Sequence, residues 1–85
     1  MPRIVITHAV VDIERWLKGK AGRAAAIGTN VTDYVAEDGS NNIAVTADID
    51  DLAAAQAMMA SPPPEVAAQM EEHGVIPPLT VYIEA

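Results

Sequence analysis

The chain has 85 residues, no cysteine and a formal net charge of −7 at pH 7, and 51% of its residues are hydrophobic. Its length allows a single domain, residues 1–85, and the missing cysteines exclude disulfides, thiolate metal sites and cysteine nucleophiles. The charge argues against nucleic acid and anionic membranes as partners, and no apolar run approaches the ~18 residues that span a bilayer.

A strand is predicted over residues 3–10, because this stretch is apolar at both odd and even positions. Its two faces hold Ile4, Ile6, His8 and Val10 on one side and Val5, Thr7 and Ala9 on the other. Such a strand is typical of a sheet that is covered on both faces. The chain opens Met-Pro-Arg, without the pattern of a secretory signal, so we expect a cytoplasmic protein.

A helix is predicted next, with Asp12 as its N-cap and Gly28 at its end. Its apolar stripe is expected to hold Ile13, Trp16, Leu17, Ala21, Ala24 and Ile27. Its polar side is expected to hold Glu14, Arg15, Lys18, Gly22 and Arg23. Gly19 and Gly22 each cost such a helix about 1 kcal/mol relative to alanine, so tertiary packing must hold it.

The middle of the chain predicts a hairpin. Strands over residues 30–37 and 42–49 flank the turn sequence Asp-Gly-Ser-Asn. Asp33 and Asp48 lie in these strands, where an acidic residue is unexpected. If either side chain points inward, it must form an ion pair or keep its proton.

Two short helices and a last strand complete the chain. Asp50 is expected to cap a helix over residues 51–60, which a run of three prolines ends. A helix over residues 65–73 then ends at Gly74, which fits the left-handed C′ position. A strand over residues 79–84 follows.

This order of elements predicts an α+β fold of the ferredoxin-like βαββαβ type. The fold has a four-stranded antiparallel sheet with the helices on one face. The other face is then expected to be a large apolar patch, which no part of the same chain covers. We therefore expect a homodimer in which two sheets close on each other through this face, forming a dimeric α/β barrel.

The chain resembles the small dimeric α/β-barrel proteins. The resemblance lies in the stretches HAVVDIERW, DIDDLAAAQAMMASPPPEV and MEEHGV, together with the basic half-helix before Gly28. Many members of this family are uncharacterised bacterial proteins, and some carry the label of cyclase. The wider superfamily includes cofactor-independent monooxygenases of polyketide quinones, muconolactone-type isomerases and haem-degrading monooxygenases. The resemblance therefore implies a particular fold but not a particular reaction.

Four side chains are candidates for a site. His8 is read as a catalytic acid or base or as a hydrogen-bond partner of a ligand, and alternatively as a structural histidine bonded to backbone or to Asp12. Trp16 and Tyr34 are read as aromatic sides of a ligand pocket, and alternatively as core and interface residues. His73 is a further pocket candidate, although its place at a helix end also fits a structural role.

The motifs that are missing narrow the chemistry. The chain has no glycine-rich phosphate loop and no G-x-S-x-G elbow. His8 and Asp12 are too few to form a metal site, and the acidic residues at 48, 50 and 51 lack the spacing of a calcium loop. We therefore expect neither a metal ion nor another cofactor.

Two functions from different classes remain open. The first is a cofactor-independent enzyme of the cyclase, monooxygenase or isomerase kind, acting on a small apolar or aromatic, polyketide-like molecule. The alternative is a homodimer that binds a small ligand without turnover or has a purely structural role. Haem degradation fits least, because the Asn–Trp–His set of such relatives does not map onto these positions.

Overall fold

The structure is a computed structural model that describes residues 2–85. Its elements are β1 (Arg3–Val10), α1 (Ile13–Lys18), α2 (Lys20–Ile27), β2 (Thr29–Val35), β3 (Asn42–Asp48), α3 (Leu52–Ala60), α4 (Pro64–Glu72) and β4 (Val75–Ile83). The strands form one antiparallel sheet in the order β2-β3-β1-β4. This is the ferredoxin-like arrangement, so the predicted fold class is confirmed. Within residues 2–85, no helix is long and apolar enough to cross a membrane.

The core lies between the helices and one face of the sheet. It is built from alternate residues of the two central strands, since alternate side chains of a strand point to the same face. The buried members on β1 and β3 are Ile4, Ile6, Val10, Ile43, Val45 and Ala47. Trp16 of α1 packs against three of them and is completely buried.

The opposite sheet face carries no helix, and it is less apolar than the sequence predicts. Its residues lie in register across β3, β1 and β4: Val5 pairs with Thr46 and Tyr82, and Thr7 pairs with Ala44 and Thr80. These side chains are half-buried or exposed. The face is thus a mixture of threonine, alanine, valine and tyrosine rather than a continuous aliphatic surface.

The helix predicted between Asp12 and Gly28 is two helices, which meet at Gly19. The inward stripe also differs from the prediction: Leu17 is 41% exposed, whereas Arg23 is only 7% exposed. Trp16, Gly19 and Arg23 follow one another at helical spacing and face the core. A buried arginine therefore takes the place where the sequence predicts an alanine.

Two of the three predicted cap residues are confirmed. Asp12 caps α1 by accepting a hydrogen bond from the backbone of Glu14, and Gly74 has the left-handed φ of +75°. Asp50 is a wrong prediction, because α3 begins one residue later and Asp51 accepts the capping bond from Ala54 at 3.0 Å.

The last strand begins at Val75, four residues before the predicted start at residue 79. It contains Pro77 and Pro78, which an edge strand tolerates because its outer N–H groups need no partner. The pairing of β4 with β1 shifts between Thr7 and Ala9, opposite these prolines. His8 therefore lies beside a β-bulge, a feature that changes the direction of neighbouring side chains.

Gly19 is where α1 and α2 approach the end of α4. We expect Gly19→Ala to lower the free energy of unfolding by about 1–3 kcal/mol, because an added Cβ would overlap the buried imidazole ring of His73. Urea unfolding followed by circular dichroism measures the change.

Gly22→Ala is the matched control, one turn further along. Its Cβ would lie 3.1 Å from the amide nitrogen of Gln69, a flexible group that can move, and alanine gains up to about 1 kcal/mol of helix propensity. Equal stability of the two variants would contradict the proposed role of Gly19.

Candidate functional site

A cavity of about 110 Å³ lies between the sheet and the helices α3 and α4. Most of its lining is apolar, with Ile6 and Val45 on the sheet side and Met58 and Met70 on the helix side. His8, Arg23 and His73 also line it and form its polar end. The cavity is thus a mainly apolar space whose ionisable side chains are these three, and the amide of Gln69 is a further polar group in its lining.

His8 is a neutral ring with one defined tautomer. Its Nδ1 lies 2.8 Å from the carbonyl oxygen of Ala9, and because a carbonyl can only accept, Nδ1 carries the proton. Burial lowers the pKa of His8 below its ordinary value of 6.5, the bond to Ala9 raises it and the charge of Arg23 lowers it. Nε2 is therefore an unprotonated acceptor at neutral pH, and it has no partner among the residues that the structure describes.

Arg23 is the central charge of the site. Its guanidinium lies 4.0 Å from the centre of the Trp16 ring, within the range of a cation–π interaction. Nη1 donates to the backbone oxygen of Trp16 at 2.6 Å and to Nδ1 of His73 at 3.2 Å. Nη2 donates to Oδ1 of Asp33 at 3.2 Å. Burial lowers the pKa of Arg23 while Asp33 raises it, and from so high a starting value the group stays charged.

Asp33 confirms the expectation that an inward-facing acid in this hairpin must be paired. Its side chain is 2% exposed, and its carboxylate accepts from Arg23. Oδ2 of Asp33 and Nε of Arg23 find no partner within residues 2–85, so one bond holds this ion pair. A pair that is buried in this way keeps both charges only while the two groups stay together.

His73 is held as a neutral ring between Arg23 and Gly19. Because Nδ1 of His73 accepts from Arg23, the neutral ring carries its proton on Nε2. Burial lowers the pKa of His73, and the charge of Arg23 lowers it further. The ring is buried and lines the cavity, so His73 lies where the prediction of a pocket residue places it.

Two other predicted pocket residues do not line this cavity. Trp16 is completely buried in the core, where its ring meets that of His8 edge to face with centroids 6.3 Å apart. It supports His8 and Arg23 from behind and does not form a side of the cavity. Tyr34 pairs with Ala44 on the helix-free face and is 49% exposed. Alternation along β2 therefore rules out Tyr34 as a side of this pocket, and that prediction is wrong.

Arg23 is the residue that sequence reasoning missed. The signal was present, because Arg23 follows Trp16 at a spacing of seven residues, which is the same helix face. The unexpected acid at Asp33 was a second signal, since a buried carboxylate requires a cation. Among residues 2–85, no group of three or more His, Cys, Asp or Glu side chains could hold a metal ion.

We expect Arg23→Met to lower the free energy of unfolding by about 3–5 kcal/mol, because it leaves the Asp33 carboxylate buried without a partner. The double variant Arg23→Met/Asp33→Leu should recover most of this loss, since it removes both charges. Circular dichroism during urea unfolding measures both variants.

Arg3→Met tests the same substitution in an Arg–Asp pair near the surface, where Arg3 bonds to Asp48 at 3.0 Å. Its effect should be much smaller, because water replaces an exposed partner. A loss no larger for Arg23→Met than for Arg3→Met would show that the buried pair does not hold the site together.

Comparison with known proteins identifies a shared fold. No described protein family and no curated protein matches the chain. The crystal structure of protein Atu4242 from Agrobacterium tumefaciens, a structural genomics target, is similar over 100% of this chain and 92% of that one, with a TM-score of 0.67 and 20% sequence identity. At this identity the likeness shows the small α/β fold alone, and Atu4242 carries no stated activity.

Proposed function

We propose that the protein binds a small apolar or aromatic molecule that bears a hydroxyl group, in the cavity between its sheet and helices. The observation that carries the proposal is the neutral His8 ring, whose Nδ1 is held by Ala9 and whose Nε2 is free to accept a hydrogen bond. A ligand hydroxyl would donate to this nitrogen, and the methionines and aliphatic side chains would surround the rest of the molecule.

The size of the cavity favours a small ligand. Its volume of about 110 Å³ is below the ~300 Å³ at which clefts for drug-sized ligands begin. Three of the lining residues, Met58, Met59 and Met70, are methionines, which adapt their shape to a ligand more readily than branched residues do. No residue of α3 or α4, which are both fully described, is buried, so this helix layer can shift at low cost.

A second candidate function is proton transfer on such a ligand, without a cofactor. The lowered pKa of His8 supports it, because a neutral imidazole can take a proton from an acidic hydroxyl or an enolisable carbon. An isomerase-like or cyclase-like reaction would need this base. We prefer ligand binding to proton transfer as the proposed function, because the cavity is small and the ring of His8 is oriented by a backbone carbonyl rather than by a carboxylate.

The ligand proposal predicts a preference for a hydroxyl group. We expect 4-methylphenol to bind roughly fivefold more tightly than toluene at pH 7.5, as a net hydrogen bond of about 1 kcal/mol would give. The preference should weaken as the pH falls through the lowered pKa of His8, since the protonated ring cannot accept. Isothermal titration calorimetry with both compounds at pH 7.5 and 5 measures it.

His8→Leu should bind the two compounds equally, because the acceptor nitrogen is lost. Tyr34→Phe is the control, since Tyr34 lies on the other sheet face and its loss should leave the preference unchanged. Equal affinities in the unaltered protein, or a preference that survives in His8→Leu, would refute the role of His8.

We further propose that the chain is a cytoplasmic homodimer of the dimeric α/β-barrel kind. The small side chain of Ala44, which pairs with Thr7 on one side and Tyr34 on the other, supports close approach of a second sheet at the centre of the helix-free face. Tyr34 and Tyr82 at its margins are 49% and 58% exposed, and burial between subunits would remove them from water. Two copies related by a two-fold axis would bury the same face on each chain.

The dimer proposal predicts a mass of two chains in light scattering at micromolar concentration. Ala44→Glu should give the mass of one chain, because it places a charge at the centre of the face that would be buried. Ala53→Glu is the matched control, since Ala53 is exposed on α3 and its replacement should keep the dimer. A single-chain mass for the unaltered protein would overturn the proposal.

A further inference from the structure

A second cavity, of about 160 Å³, lies between α3 and the outer half of the sheet. Ile4, Val81 and Ile83 line it from the sheet, and Leu52 and Gln56 line it from α3. All of these side chains except Gln56 are apolar. Met59 lines this outer cavity and also the inner cavity that holds His8, and it is the one residue common to the two linings within residues 2–85.

The two cavities lie end to end along the same pair of strands. Ile4 lines the outer cavity and Ile6 the inner one, and the two are successive residues on one face of β1. Val81 and Leu79 repeat this arrangement on β4, where Val81 pairs with Ile6. Such neighbours are about 7 Å apart along a strand, so the two spaces are close together, and Met59 borders both of them.

We propose that Met59 is a movable partition and that the two cavities form one elongated binding channel when it turns aside. The channel has a polar inner end at His8, an apolar middle at Met59 and an outer end at Gln56. It would take a linear molecule that has a hydroxyl group at one end and an apolar chain behind it. This inference rests on the proposed function, because it assigns the hydroxyl to His8 and adds a site for the chain.

The chemistry of Met59 fits a partition that moves. Methionine is unbranched and has three rotatable side-chain bonds, so it changes rotamer without displacing its backbone. Met59 is half-buried and packs at the margin of the core cluster of Ile4 and Ile6, not inside it. Together the two volumes approach the ~300 Å³ of ordinary ligand clefts, which neither reaches alone.

Titration with a series of 4-alkylphenols tests the channel. The probes are 4-methylphenol, 4-ethylphenol, 4-butylphenol and 4-hexylphenol, and calorimetry at pH 7.5 gives the affinities. In the unaltered protein, affinity should rise along the series by up to about fourfold per added methylene, as the chain enters the outer cavity.

Met59→Phe should abolish this rise, because a stiff ring keeps the spaces apart. Met59→Ala should strengthen binding of the longer probes alone, and thermal unfolding checks that it folds. Met58→Ala is the matched control on the same helix: Met58 lines only the inner cavity, so the rise should persist.

A flat series in the unaltered protein, or a rise that survives in Met59→Phe, would overturn the channel while 4-methylphenol still binds. Failure of every probe, 4-methylphenol included, would instead overturn the proposed function on which the channel rests. A rise that Met59→Phe removes and Met58→Ala keeps would support it.

Discussion

The buried guanidinium of Arg23 is the constraint on which the rest of the site depends. It joins four parts of the chain: its own helix α2, the last turn of α1 through Trp16, β2 through Asp33 and the end of α4 through His73. Removing a charge from water is expensive unless partners compensate it. Arg23 and its partner His73 also form part of the polar end of the cavity. The contacts that stabilise the buried charge therefore also determine the electrostatics of the site.

The same charge adds to the effect of burial on the pKa values of both histidines. The pKa values of His8 and His73 are lowered chiefly by burial, and the positive charge of Arg23 adds to the effect in each. The outcome differs in detail, because Nδ1 donates in His8 and accepts in His73. Two imidazole rings therefore line the cavity. The acceptor nitrogen of His8, Nε2, is free, whereas the acceptor nitrogen of His73, Nδ1, already accepts from Arg23. Of the two, only His8 is suited to accept a hydrogen bond from a ligand.

The sequence carries the order and type of most elements, because apolar runs and cap residues act locally: β1 begins and ends where its apolar run and the Asp12 cap predict. It does not carry the break at Gly19, since that depends on His73, which lies more than fifty residues away and occupies the space of a missing Cβ. Arg23 was missed for a different reason. It lies seven residues after Trp16 and so on the same helix face, but a charged residue is expected on the polar side of a helix unless its buried partner, here Asp33, is known. Tyr34 was misplaced for a similar reason, because composition favours an aromatic pocket residue whereas strand parity decides which face it occupies.

The two sides of the cavity differ in how firmly they are held. The sheet side is built on fully buried residues such as Ile6 and Val45, whereas α3 and α4 contribute only half-buried or exposed ones. Local opening follows low burial, so motion will concentrate in the helix layer and leave the position of His8 fixed. In the proposed dimer the second copy would press on the other face of the sheet, stabilising the side that holds His8 without touching the side that must move. Each subunit would then keep a complete site of its own, and ligand binding would couple to assembly only through the stability of the shared sheet.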